Sequence, residues 1–368
     1  MVIYNIIFGI VLLFSLISCL FLRYDKVLIG NVSLKISNKL VLLFFFLVLI
    51  FISALRGETV GTDMVNYIPR YMQITDTNWG NLPSLINIVD FELGFIFFCK
   101  LISFIDLDNP QIFIIITSFL TLLGFYKFIS KFSIIPILSL LIFISYGYWT
   151  NSFNIVRQSL AISILAWGLS LWEDDRKSLS FLMNLLAISF HISSLIFILV
   201  YFCRRLKFQT YAFLTTLFFV IGLLIMPKSV LVSLISLTPF EKYINRTGSG
   251  ETTLIVLMLI FSSAFVLKKR IREFDKNIDL WLWMLAIALG ANALALEIGL
   301  FERIMRFFLI SLLIVIPDFC YIYRKKFGNF LLCFGILISC SFYFYFILME
   351  SPQSSGNAFP YYSVYSLE

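Results

Sequence analysis

Long apolar stretches separated by short polar ones recur along the whole chain. They fall at 2–22, 40–55, 110–126, 132–149, 153–172, 209–226, 252–267, 279–299, 306–323 and 329–349. A bilayer core takes about 20 helical residues to cross, so each run predicts a membrane helix. The runs are continuous, whereas a strand barrel would show short segments alternating with period two. Two further stretches are ambiguous. Residues 91–105 are short and carry Lys100, and residues 179–203 are apolar throughout with His191 midway. As single crossings they give twelve spans. A half-inserted helix and a tight hairpin give ten. The predicted class is an all-α polytopic transmembrane bundle of about 10–12 spans, with residues 1–368 forming one integral membrane domain.

Composition agrees with the pattern. Only 13% of residues are charged and 60% are hydrophobic, against about 25% charged in soluble domains. A soluble enzyme and a secreted disulfide scaffold are excluded. The six cysteines lie in or beside apolar runs without CxxC spacing, and read as small packing residues. The first run, Val2 to Leu22, has no basic segment before it and no small-x-small cleavage site, so it reads as a retained span.

The net charge of +7 reports topology here and not a nucleic-acid partner. The hairpin scheme places more of the Lys and Arg inside than the twelve-span scheme does, and it is preferred. It puts Arg56, Asp63, Arg157, His191, Tyr243, Arg303 and Arg306 on the outer face. Two outer segments exceed a turn, 56–90 and 227–252. The start of the second, Ser229 to Leu237, suits an interfacial helix, and loops this long usually carry function.

The first loop opens Arg56-Gly-Glu-Thr-Val-Gly61-Thr62-Asp63-Met-Val-Asn-Tyr67. A local reading has Gly61 make a turn and Thr62 or Asp63 cap a helix running toward Met72. It leaves Arg56 unexplained, since a cation at the outer end of a span is disfavoured. Arg157, in Asn154-Ile-Val-Arg157-Gln158, carries two penalties. It falls in the first turn of a helix, where a cation costs up to about 1 kcal/mol. A buried Arg costs about 2.5–3.5 kcal/mol more. Such a group needs an anion, and Arg157 with the helix N-terminus suits phosphate; snorkelling is the alternative.

His191 is the single histidine, which excludes a His-rich metal site. It is either a hydrogen-bonded core imidazole or a general base or hydroxyl-binding group. Arg303 and Arg306 share a helix face and suit a diphosphate, unless Glu302 pairs with them. Glu297 and Glu92 begin or interrupt apolar runs and could balance these arginines instead. Tyr243 is either a sugar-stacking ring or an interfacial anchor. No Walker loop or Rossmann glycine pattern is present. The pattern of arginines and one histidine at one face suggests an acidic, lipid-linked substrate handled outside.

The ordered motifs Arg56…Val60-Gly61-Thr62-Asp63…Tyr67, Phe91-Glu92-Leu93-Gly94-Phe95, Asn154-Ile-Val-Arg157-Gln158-x-x-Ala161 and Phe190-His191-Ile-Ser-Ser194 resemble the EpsG family of polysaccharide polymerases. These are Wzy-type O-antigen or exopolysaccharide polymerases. The resemblance covers about residues 50–310 and extends loosely to Pro360-Tyr361-Tyr362. It implies a multi-pass protein of the bacterial inner membrane working at the periplasmic face. It would join undecaprenyl-diphosphate-linked repeat units, with membrane lipid around it and a chain-length regulator as a candidate partner, without metal or cofactor. Arg56, Arg157, Arg303 and Arg306 would hold diphosphates, and Asp63 or His191 would be the base. Thr62, Tyr67, Glu92, Asn154, Gln158 and Tyr243 would contact sugar. A flippase, a membrane acyltransferase and a polymer ligase are the competing readings. A flippase should carry charge at several depths, whereas here it gathers at one face.

Overall fold

The computed structural model describes residues 2–21, 34–106, 109–236, 250–324, 328–349, 358 and 361–366. Among these, helices dominate and no named strand occurs. The protein is an all-α multi-pass membrane protein. The helices are α1 (Val2–Phe21), α2 (Leu34–Ala54), α3 (Met64–Asp76), α4 (Ile86–Val89), α5 (Leu93–Ile102), α6 (Gln111–Phe132), α7 (Pro136–Ser145), α8 (Tyr148–Asn151), α9 (Val156–Glu173) and α10 (Lys177–Phe190). They continue as α11 (Ile198–Cys203), α12 (Thr210–Ile225), α13 (Lys228–Ser236), α14 (Glu251–Ile271), α15 (Ile278–Ala295), α16 (Leu300–Phe308), α17 (Leu312–Ile322) and α18 (Gly328–Met349). Among the described residues, four stretches, Val2–Leu20, Gln111–Phe132, Ile278–Ala295 and Leu300–Ile322, are long and apolar enough to cross a bilayer.

Neither ambiguous stretch forms one helix long enough to cross. Helix α5 has 10 residues, about 15 Å at 1.5 Å per residue, half of a hydrocarbon core of about 30 Å. The stretch 179–203 is no single helix. Helix α10 stops at Phe190, His191 is extended (φ −156°, ψ 108°), and 3₁₀ turns over Ile192–Phe197 lead into α11. The first long loop, residues 56–90, folds into α3, 3₁₀ turns over Trp79–Leu85, and α4. Asp63 is the N-cap position of α3, but its side chain makes no capping hydrogen bond. Helix α13 occupies the position expected for an interfacial helix. The rest of that loop, with Tyr243, lies outside the described residues.

The chain divides into two compact units, Met1–Leu195 with Tyr323–Glu368, and Ile196–Ile322. In the first, α9 packs between α6 and α10, α2 packs on α6 and α7, and α1 lies against α7 and α18. Helix α9 is buried along nearly its whole length, which is why it is apolar on every side. In the second, α15 has that central place, contacted by α11, α12, α14, α16 and α17. The outer helices turn apolar residues outward, among them Phe44, Leu47 and Phe51 on α2 and Phe218 and Ile225 on α12. On a soluble protein such faces would aggregate; toward lipid tails they are at no disadvantage.

A C-terminal strap closes the first unit over the end of α2. Gly57 N–H donates to the Tyr362 carbonyl at 2.8 Å, and Val364 N–H to that of Leu55 at 2.9 Å. The Tyr361 hydroxyl donates to the Ile52 carbonyl at 2.9 Å, and Tyr4 on α1 donates to Ala358. Beneath the strap sits Arg56, 1% exposed. At about 0.5–1.5 kcal/mol net per hydrogen bond, removing residues 361–368 is expected to destabilise the protein by about 2–4 kcal/mol. Unfolding of the purified full-length and shortened chains in detergent measures this. Equal stability would show that the strap carries no load.

Candidate active site

Two close approaches build the site. In the first, Gly61 (φ +116°) turns the loop inward, and a Cβ there would stand 2.4 Å from the Phe153 carbonyl oxygen. Only glycine tolerates both the dihedral and the contact. The next turn docks through Asp63 N–H, which donates to Asn154 Oδ1 at 2.7 Å. In the second, Gly94 on α5 lies against Ser189 near the end of α10, where a Cβ would meet the Ser189 Oγ at 2.3 Å. Gly94 is thus the residue that lets α5 approach α10, and Glu92 and His191 sit just beyond the contact, one next to each helix.

Glu92 joins three partners. Its Oε2 accepts from Arg157 Nη1. Its Oε1 accepts from the Ile192 N–H at 3.0 Å and lies 3.3 Å from His191 Nδ1. Burial pushes the Glu92 carboxyl up, but the His191 hydrogen bond, the Arg157 charge and the Ile192 N–H bring it down to about 2. It is therefore ionised at neutral pH. Arg157 Nε donates to the Tyr67 hydroxyl at 3.3 Å, and its Cζ lies 4.5 Å from the centre of the Phe91 ring. Tyr67 stacks on Phe91 at 5.2 Å. A second cation, Arg70, lies 5.4 Å from the same ring. Two arginines and one carboxylate thus surround Phe91, which is buried.

The expected residues are distributed as follows. Tyr67, Arg157, Glu92 and His191 meet in one side-chain cluster, and Asp63 with Asn154 joins it through the Tyr67 N–H, which donates to the Asp63 carbonyl at 2.9 Å. Gln158 is buried beside Arg157 along α9, and Thr62 is exposed next to Gly61. Arg56 is placed differently. Its Nη1 donates to the Ser53 carbonyl at 2.8 Å and to Ser118 Oγ at 2.7 Å, and its Cζ lies 4.7 Å from the Phe153 ring. Burial pulls its pKa down to about 10, which leaves it charged at neutral pH. Arg303 and Arg306 lie on α16 in the second unit, where Arg306 Nη2 donates to Glu302 Oε1 at 2.6 Å.

Three contributors were given no role from the sequence. Arg70 follows Tyr67 by three residues, so the two share a face of α3, and that spacing was a usable signal. Phe91 and Phe153 are apolar residues among many, and nothing in the sequence marks them as rings beneath guanidinium groups.

A depressed carboxyl pKa gives a defined pH dependence. The stability it contributes is present above the ordinary value of 4.5 and is lost as pH falls through about 2. The wild type is therefore expected to lose more stability between pH 4.5 and 2 than Glu92→Gln, measured as unfolding in detergent. Parallel curves would mean that Glu92 is not held ionised by its neighbours. Gly94→Ala is expected to cost about 1–3 kcal/mol, as overpacking does. An unchanged melting curve would show that α5 and α10 need no such approach.

A family model described as the EpsG family matches residues 39–363 of the chain. No curated protein and no solved structure matches it.

Proposed function

Because the chain belongs to the EpsG family, a family of polysaccharide polymerases, we propose that it polymerises undecaprenyl-diphosphate-linked oligosaccharide repeat units at the periplasmic face of the inner membrane. In this reaction an acceptor hydroxyl attacks the anomeric carbon of the donor chain. The bond from that carbon to the diphosphate oxygen breaks, and the lipid diphosphate leaves with the bonding pair. The acceptor proton passes to a base.

The observation that carries the proposal is the Arg157–Glu92–His191 arrangement. Glu92 faces His191 Nδ1, so of the two tautomers of a neutral imidazole it selects the one with its proton on Nδ1 and its lone pair on Nε2. That supports His191 over Asp63 as the base, with Glu92 as its positioning residue. Asp63, whose N–H is tied to Asn154, then orders the loop. Arg157 and Arg70 supply the positive field for a departing diphosphate. Tyr67 and Asn154 hold the arginine and the loop in register, and Thr62 and Gln158 are the sugar contacts nearest to them. Arg303 and Arg306 are assigned to the second lipid diphosphate. Arg56 braces the loop from below and contacts no substrate.

Deletion of the gene with complementation tests this. The deletion strain is expected to lose the long surface-polysaccharide ladder and to keep a single repeat unit on its anchor. Loss of every repeat unit would point to a flippase or a ligase. Complementation with Arg157→Ala is expected to leave only the single unit, with the protein still inserted in the membrane. His191→Ala should lower polymer formation by at least about 100-fold, the usual contribution of a general base. Normal chain length from Arg157→Ala would remove that residue from the mechanism.

A further inference from the structure

At the opposite end of α9 from Arg157 lies a second concave site in the same unit. Helix α9 has 18 residues, so about 25 Å separates them at 1.5 Å per residue. A cavity of about 330 Å³ opens between the ends of α2, α6, α9 and α10. Lys39, Lys127, Lys131 and Arg176 line it, with Asp174 as its one carboxylate. Lys131 pairs with Asp174. Among the described residues no ion pair reaches Lys39, Lys127 or Arg176. Three cations therefore face one shallow cavity whose only lining carboxylate is already paired with Lys131.

The remaining wall is apolar and indicates what kind of anion fits. Trp167 and Leu179 line the cavity. Leu179 begins a stripe on α10 that continues through Leu182 and Leu186, all exposed and spaced three and four residues apart on one helix face. A free phosphate would use the cations and leave the stripe unused. A phospholipid would use both, with its headgroup in the cavity and its acyl chains along the leucines. The size is at the lower end of ligand pockets, roughly 300–1,000 Å³, which suits a headgroup and not a whole lipid. Basic pockets between helix ends are a known setting for anionic headgroups.

We propose that this cavity binds the phosphate headgroup of an anionic membrane lipid, with Lys39, Lys127 and Arg176 contacting the phosphate and the α10 leucines contacting the chains. The site is independent of the Arg157 cluster and of the polymerase reading.

The test is titration of the full-length protein, delipidated in detergent, with cardiolipin and with phosphatidylcholine, followed by native mass spectrometry. Lys127→Ala/Arg176→Ala is expected to weaken cardiolipin binding by roughly ten- to thirtyfold, at about 1 kcal/mol for each cation. Phosphatidylcholine should be unaffected. These residues are exposed, so the variant should fold, and its melting curve checks this. The control Lys269→Ala/Arg270→Ala removes equal charge from the end of α14. Equal loss in the control would mean general electrostatic attraction and would overturn the proposal, as would unchanged binding in the first variant. Inorganic diphosphate is added as competitor. If it binds as tightly as cardiolipin, and Leu182→Ser/Leu186→Ser leaves cardiolipin binding unchanged, the ligand is a soluble phosphate and the lipid assignment fails.

Discussion

The cluster around Phe91 depends on one ion pair, Arg157 with Glu92. Arg157 stands in the first turn of α9, the helix that packs on both α6 and α10. At that place it opposes the helix dipole and is partly withdrawn from water, with its side chain 19% exposed. Removing either partner would strand the other as an uncompensated charge, which is far more costly than replacing both. The pair therefore constrains its surroundings. Glu92 has to reach α9 from the start of α5, and α5 reaches that position only because Gly94 allows it against Ser189. Tyr67 and Phe91 then fill the space around the guanidinium.

The same constraint explains why short helices carry the site. A full crossing satisfies its backbone groups internally and exposes its ends to water. A helix that stops early leaves N–H and C=O groups that need partners. Helix α10 ends at Phe190, and the Ile192 N–H just beyond it finds Glu92 Oε1. The break that interrupts a 25-residue apolar stretch is thus what holds His191 extended beside the carboxylate. Continuing the helix through His191 would make a better span and remove the group from the cluster.

Much of this was legible in the sequence. The spans follow from apolar length alone, which local composition determines. The shortness of α5 was signalled by Lys100, now buried with its ammonium on the Thr75 carbonyl. Arg157 stood out because it carried two separate penalties, and the cation did need an anion. Its partner within the chain was not legible. Glu92 was set against Arg303 and Arg306, because sequence distance says nothing about which helix ends meet. Glu302 takes Arg306 instead, a local i,i+4 pair. Arg56 shows the same limit in another form. A cation at the end of a span reads as an anion ligand. Here a strap from about 300 residues further along the chain encloses it, with Ser53, Ser118 and Phe153 around it.

The geometry of the pair also bears on the proposed chemistry. A bidentate carboxylate would occupy two of the guanidinium N–H donors in one contact, and a diphosphate arriving there would find fewer of them free. Glu92 gives Arg157 only one oxygen and turns the other to Ile192 and His191. Its charge is spread over three donors on two segments, α9 and the turn after α10. The contacts of Arg157 with Glu92 and Tyr67 engage Nη1 and Nε of a group with five N–H donors. Arg70 adds a second positive charge beside the same ring. Under the proposed reaction, a site built this way would keep positive potential for the leaving group while the same carboxylate orients the proposed base. In the proposed reaction those two tasks occur in one step, as the acceptor loses its proton and the diphosphate gains charge. One carboxylate shared between arginine and histidine is the link that couples them.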